Sequence, residues 1–271
     1  MIQSPPTPIL VSIGGFDLHY YGLIMFIAII CALLVIRFIS KFHYKSINTD
    51  VILDMLPVII ISSIISARLY YVLVDISYFS KHPSEILAIW NGGMSIHGGL
   101  IGGVLSGIVM ARLNKISFLK YADVFAYGLV IGQAIGRLGN WFNCEAFGKP
   151  CFIPFIKLQI PLQYRPLGYE SFEYFHPTFL YEMIWNIFVF LILYFVIRKI
   201  VNIKDGTIFF SYLILYSVGR FVIEWCRLDS VLNICGMPLA QLVSIVVIII
   251  SSILLVFLYK RKGKMCESYL K

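Results

Sequence analysis

Four polar side chains, Arg137, Asn140, Asn143 and Glu145, fall within nine positions of the stretch Gly136-Arg-Leu-Gly-Asn-Trp-Phe-Asn-Cys-Glu-Ala-Phe-Gly148, at the end of an apolar run. A guanidinium offers a planar fork of donors that grips an oxyanion through two hydrogen bonds, and amides one turn away can point into the same space. Capping of a helix end by Asn and Gly is the plain alternative. A second group, Arg220, Glu224 and Arg227, is spaced four and three apart and shares one helix face. It reads either as an internal ion pair or as a phosphate clamp, and Arg137 at the same depth brings the clamp level with the ion pair. His97 stands in a segment, residues 92–107, with seven glycines. Its ordinary pKa suits a base near neutral pH, while a hydrogen bond that fixes the Gly-rich bend is the other reading. Gly99, Gly103 and Gly107 form a small-residue stripe for close helix packing. His176-Pro177-Thr-Phe-Leu-Tyr181-Glu182 opens another apolar run, with proline in a first helical turn and Glu182 placed to pair with an arginine.

The elements that must carry these residues are membrane helices. Of 271 residues, 59% are hydrophobic and only 13% charged, and mean hydropathy is +0.86. A soluble core cannot absorb so many apolar runs of about 20 residues, the length that crosses about 30 Å of hydrocarbon. Soluble, disordered, collagen-like and disulfide-framework classes are excluded. Spans are expected near 19–40, 51–75, 95–113, 121–142, 177–200, 206–226 and 237–260, in an all-α integral membrane protein forming one polytopic domain over 1–271. Segment 76–90, with Lys81, Pro83 and Glu85 among apolar residues, is expected along the interface. The first run lacks a basic leader and a small-residue cleavage site, so it is expected to be retained as a span. The net charge of +8 sits in short loops, with no aromatic-basic module for nucleic acid. Six cysteines have neither CxxC spacing nor a companion His cluster, so metal binding is not expected; a Cys144 to Cys151 or Cys226 to Cys235 disulfide has only weak support.

Orientation follows from the basic residues. Fourteen lie on the side reached after the first span, including Arg112 and the tail Lys260, Arg261, Lys262, Lys264 and Lys271, against five on the other: Lys81, Lys149, Lys157, Arg165 and Arg227. Positive-inside bias predicts an extracytoplasmic N-terminus, a cytoplasmic C-terminus and an extracytoplasmic loop or lid over 143–176. Three arginines remain inside spans, Arg68, Arg137 and Arg220. Each costs at least about 2.5 kcal/mol at a helix centre unless partnered or wet. All three fall in the outer parts of outward-running helices, and Tyr21, His97, Asn140, Asn143, Glu145, His176, Tyr181, Glu182, Glu224 and Gln241 lie at outer ends too, which predicts one polar basin in the outer leaflet. A transporter or channel for an anionic solute is the alternative class. Against it, the inner halves of spans one, three, five and seven are almost wholly apolar.

At these residues the sequence resembles the bacterial prolipoprotein diacylglyceryl transferase family. The likeness runs through Tyr21-Gly22, Ala67-Arg68-Leu69, Gly93-Met-Ser-Ile-His97-Gly-Gly99, the specific 136–148 signature, His176-Pro177 with Tyr181-Glu182, and Tyr216 with Gly219-Arg220-Phe221 and Glu224. It departs at Ala126, Phe179 and Ala240, where the family usually has proline, glutamine and glycine. The resemblance implies transfer of the diacylglyceryl group of phosphatidylglycerol to the lipobox cysteine thiol of a preprolipoprotein, forming a thioether and releasing glycerol phosphate, at the bacterial cytoplasmic (inner) membrane. It also implies the roles. Arg137 and Arg220 would bind phosphate, with Arg68 and Gly148 at the lipid; Asn140, Glu145 and Tyr21 would hold headgroup or thiol. Glu224 would orient Arg220, His97 is the candidate base, and Asn143, His176, Tyr181, Glu182 and Tyr216 would support them. The partners are phosphatidylglycerol, lipobox-containing preprolipoproteins and the bilayer, and no cofactor or metal is implied.

Overall fold

Among the described residues of this computed structural model, seven helices are long and apolar enough to cross a membrane. They are α1 (Tyr20–His43), α2 (Thr49–Val74), α3 (Ile96–Leu113), α4 (Phe118–Phe142), α5 (Thr178–Phe195), α6 (Thr207–Glu224) and α7 (Leu239–Lys260). The structure describes residues 2–5, 7–14, 16–44, 47–200, 203–228, 233–234 and 236–260. The basic tail beyond Lys260, with Cys235 and Cys266, lies outside the described residues.

The chain divides into two compact units, one made of Met1–His43 with Ala122–Lys271 and the other of Tyr44–Tyr121. The first holds α1, nearly all of α4, and α5 to α7. Helix hydropathy and burial run in opposite directions here. The strongly apolar α7 is buried along only 11% of its apolar window, whereas the far less apolar α4 is 50% buried. A helix that carries polar side chains must turn them toward protein, while an all-aliphatic one can face lipid with Val246, Ile250 and Ile253. Asp123, buried on α4, accepts hydrogen bonds from the backbone N–H groups of Gly206 (2.7 Å) and Phe209 (2.8 Å) and so caps the start of α6.

The connection between α4 and α5 is built, not loose. Leu158–Gln159 lies between the N-terminal strand Ile2–Gln3, to which it runs parallel, and Tyr174–Phe175, to which it runs antiparallel. Phe147, Leu158, Ile160, Phe175 and Phe179 close a small core beneath this sheet. The expectation of a lid thus gains strand structure that the aromatic-rich sequence did not display. A hairpin, Ile9–Ile13 with Phe16–His19, leads into α1. Cys144, Cys151 and Cys226 are free thiols.

In the second unit α2 packs along α3. The closest approach is at Gly98 and Gly102, where an added Cβ would meet Ser66 O at 2.4 Å and Ser66 Oγ at 2.3 Å. The expected stripe is therefore displaced: Gly99 and Gly107 have ordinary clearance, and only Gly103 shares the tight contact, with Ser63. Segment 76–90 is broken into a short helix, Ile76–Phe79, and single 3-10 turns rather than a span.

Candidate active site

Glu182, one turn into α5 and only 5% exposed, forms ion pairs with three guanidinium groups. Arg137 Nη2 of α4 is one partner, at Oε2. Arg220 Nη1 of α6 (2.6 Å) and Arg227 Nη1, just past the end of α6 (2.9 Å), are the others. Glu224 Oε2 takes Arg220 Nη2 at 2.8 Å and lies 3.8 Å from Arg227 Nε. Three positive charges face two buried carboxylates, which leaves the cluster one charge positive. The distribution of exposure matters as much. Both carboxylates are 5% exposed or less, while Arg137 and Arg220 retain 25% and 22%. Of these five side chains, the arginines Arg137 and Arg220, not the carboxylates, face an incoming anion.

Arg137 also reaches toward Asn140, Nη1 to Oδ1 at 3.5 Å; Asn140 Nδ2 donates to Glu145 Oε1 at 2.8 Å, and Asn143 Nδ2 to the same oxygen at 3.4 Å. Backbone geometry makes this possible. Past α4 the chain carries Cys144 and Ala146 at φ of 51° and 54°, and Glu145 N–H returns to Asn140 O at 3.0 Å, which turns the carboxylate back over the helix end. Tyr21 lies flat against Gly139, where a Cβ would meet its ring at 2.7 Å. Tyr181 pairs with His176 Nδ1 through its hydroxyl at 2.9 Å, and burial holds the His176 imidazole below its usual pKa.

Gly148 explains how Arg227 arrives. Its N–H donates to His176 O at 2.8 Å, and Lys149 N–H donates to Cys226 O at 2.7 Å. A Cβ on Gly148 would stand 2.2 Å from Cys226 O. Backbone thus lies on backbone, and the strand-like contact of Gly148 with Arg227 pins the segment after α6 beneath the signature. Arg227, grouped from the sequence with Arg220 and Glu224 but also counted among the loop charges and assigned no site role, pairs here with Glu182. Its spacing of seven from Arg220 on one face was the available signal.

The second unit holds the other two expected site residues. His97 is exposed at the start of α3, its ring 6.2 Å from that of Tyr70. Arg68 is buried and donates Nε to Ile86 O, Nη1 to Gly92 O and Gly93 O, and Nη2 to Glu85 O, at 2.6 to 2.9 Å. Four of its five N–H groups are thereby engaged by backbone, so it shapes the turn that precedes His97. Gly92 and Gly93 make that turn with φ of 85° and 73°.

A sequence profile described as Prolipoprotein diacylglyceryl transferase matches residues 8–257. The chain belongs to the prolipoprotein diacylglyceryl transferase family. Among its relatives, the phosphatidylglycerol–prolipoprotein diacylglyceryl transferase of Trichormus variabilis is 42% identical over 263 residues, 96% of this chain and 92% of that one. The protein of the same name from Synechocystis is 43% identical over 258 residues (94% and 90%), and that of Bacillus velezensis 40% over 256 (94% and 93%). Membership makes the chain a membrane-embedded transferase of lipoprotein maturation and decides against the transporter or channel alternative. Within this transferase family frame, the Arg137, Glu182, Arg220, Glu224 and Arg227 cluster is the candidate active site.

Proposed function

We propose that this chain moves the diacylglyceryl group of phosphatidylglycerol onto the lipobox cysteine thiol of a preprolipoprotein. The cysteine sulfur forms a bond to the glyceryl carbon, the bond from that carbon to the phosphate oxygen breaks, and glycerol phosphate leaves with the electron pair. The thiol proton goes to a base, for which His97 is the candidate. A thiol of pKa about 8.5 needs that help at neutral pH, and the leaving phosphate needs positive charge where its own charge grows. The observation that carries the reading is the net-positive cluster whose exposed members, Arg137 and Arg220, are oriented from behind by buried Glu182 and Glu224. Asn140 and Glu145 stand at the rim, where a polar headgroup or the thiol would be held. Arg68 braces the turn that precedes His97.

The same reading places the N-terminus and the 143–176 loop outside, the tail in the cytoplasm, and the cluster at the outer leaflet of the bacterial cytoplasmic membrane, with the two units acting as one polytopic domain. Fourteen basic residues against five support it. Headgroup dependence tests the function. Purified protein should modify a lipobox peptide in vesicles containing phosphatidylglycerol, and should fail with phosphatidylcholine alone or with a Cys→Ser peptide. Equal transfer from both lipids would refute the anionic-headgroup clamp.

A further inference from the structure

Trp185 stands three residues after Glu182 on α5, so the two side chains share a helix face. Its indole Nε1 donates to Leu215 O of α6 at 2.9 Å. That carbonyl lies inside α6, where the backbone N–H of Gly219, four residues on, already takes one of its lone pairs. A side chain at position 219 would roof the carbonyl, because a helical side chain leans back over the turn before its own Cα. Gly219 has none. A Cβ added there would overlap the indole at Nε1, Cδ1 and Cε2, so the ring fills the notch that the glycine leaves.

The residue after the notch is Arg220, whose Nη1 meets Glu182 Oε1 at 2.6 Å. Residues 182–185 of α5 and 215–220 of α6 are thus tied at two points, one an ion pair and the other a ring seated on backbone. A slip of α6 by one residue would carry Arg220 about 1.5 Å along the axis and about 100° around it. The long guanidinium side chain could follow part of that movement, but the indole against Gly219 could not. We propose that Trp185 is a positioning residue: seated at Gly219 and bonded to Leu215 O, it sets the register of α5 against α6 that aims Arg220. The inference rests on the transferase reading, in which Arg220 faces the departing phosphate. A phosphate competes with Glu182 for the guanidinium, yet it has no hold on an uncharged indole bonded to a helix carbonyl. The register therefore survives lipid binding, when the ion pair alone would loosen. Misplacement by about 1 Å can cost about 100-fold in rate.

The test separates aim from packing. Trp185→Phe keeps an aromatic ring and removes the N–H donor. On purified protein, KM and kcat are measured in the transfer assay and phosphatidylglycerol affinity by direct lipid binding. We expect kcat to fall about ten-fold with KM and the dissociation constant within about two-fold, because charge still gathers lipid while the fork no longer meets the leaving oxygen. In an Arg220→Lys background, which has no fork to aim, the same substitution should cost less than about two-fold. Gly219→Ala evicts the indole and should match the loss, but should add less than about two-fold once Trp185→Ala has emptied the notch. Should Gly219→Ala fail to insert, the cycle of Trp185→Phe with Arg220→Lys decides alone. A parent-like kcat in Trp185→Phe overturns the proposal. So does a full ten-fold loss repeated in the Arg220→Lys background, since packing would then account for the effect. A parent that binds lipid but transfers nothing removes the transferase reading and this inference with it, whereas an active parent with an equally active Trp185→Phe removes the inference alone.

Discussion

Glu182 is ion-paired with three guanidinium groups, so its replacement separates charge from geometry. Glu182→Gln makes the cluster more positive, which by charge alone would strengthen attraction of an anionic lipid. It also leaves the arginines without the acceptor that aims them. Removing one member of a buried ion pair costs about 3–5 kcal/mol. We therefore expect transfer to fall about 100-fold or more and thermal stability to drop; tighter lipid binding with faster turnover would show that net charge governs. For His97 the expectation concerns proton transfer. Glutamine can imitate one imidazole nitrogen but cannot cycle a proton near neutral pH, so His97→Gln should abolish transfer across the accessible pH range and leave phosphatidylglycerol binding largely intact. A variant whose rate survives and rises with thiol ionisation, as in the parent, would remove His97 from the base role.

At the scale of elements, Asp123 and Gly148 place helices rather than chemistry. Asp123→Ala deletes the cap of α6 and should cost about 1–2 kcal/mol, read as a lower melting temperature in detergent with KM little changed. Gly148→Ala sets a methyl 2.2 Å from Cys226 O, so Arg227 should be displaced and activity lost even where the protein inserts. The His176–Tyr181 contact adds a pH dependence whose sign is fixed. Burial lowers the His176 pKa, so the folded state prefers neutral imidazole. Its contribution is full above the unfolded value of about 6.5 and is lost as pH falls through that value toward the lower folded one. The stability gap between parent and His176→Gln should shrink on going from pH 7.5 to pH 5. The helices and their polar ends were legible because hydrophobic run length and intramembrane charge are strong, local signals. The pairing of Arg227 with Glu182 was not, because it depends on backbone pairing with Gly148 across nearly eighty residues. The strand pairing of Ile2–Gln3 with Leu158–Gln159 was hidden for the same reason, and the Gly98 and Gly102 contact because two small-residue stripes overlap in one Gly-rich helix.

For the whole molecule, the proposed topology makes opposite demands on two segments. A cysteine introduced between Phe152 and Phe175 should label in intact cells, and one placed after Lys260 should not; the reverse pattern would move the cluster to the other leaflet. The central claim is that the three-arginine, two-glutamate cluster performs diacylglyceryl transfer by geometry as well as charge. Its most direct test is transfer from phosphatidylglycerol to a lipobox peptide, followed by the peptide's mass gain and by released glycerol phosphate, for parent, Arg137→Lys, Arg220→Lys and the distant Arg112→Lys. Lysine keeps the charge but not the fork. The parent and Arg112→Lys should form thioether peptide and glycerol phosphate in equal amounts, and both cluster variants should lose about 100-fold or more in rate. Near-parent rates for Arg137→Lys and Arg220→Lys would contradict the account.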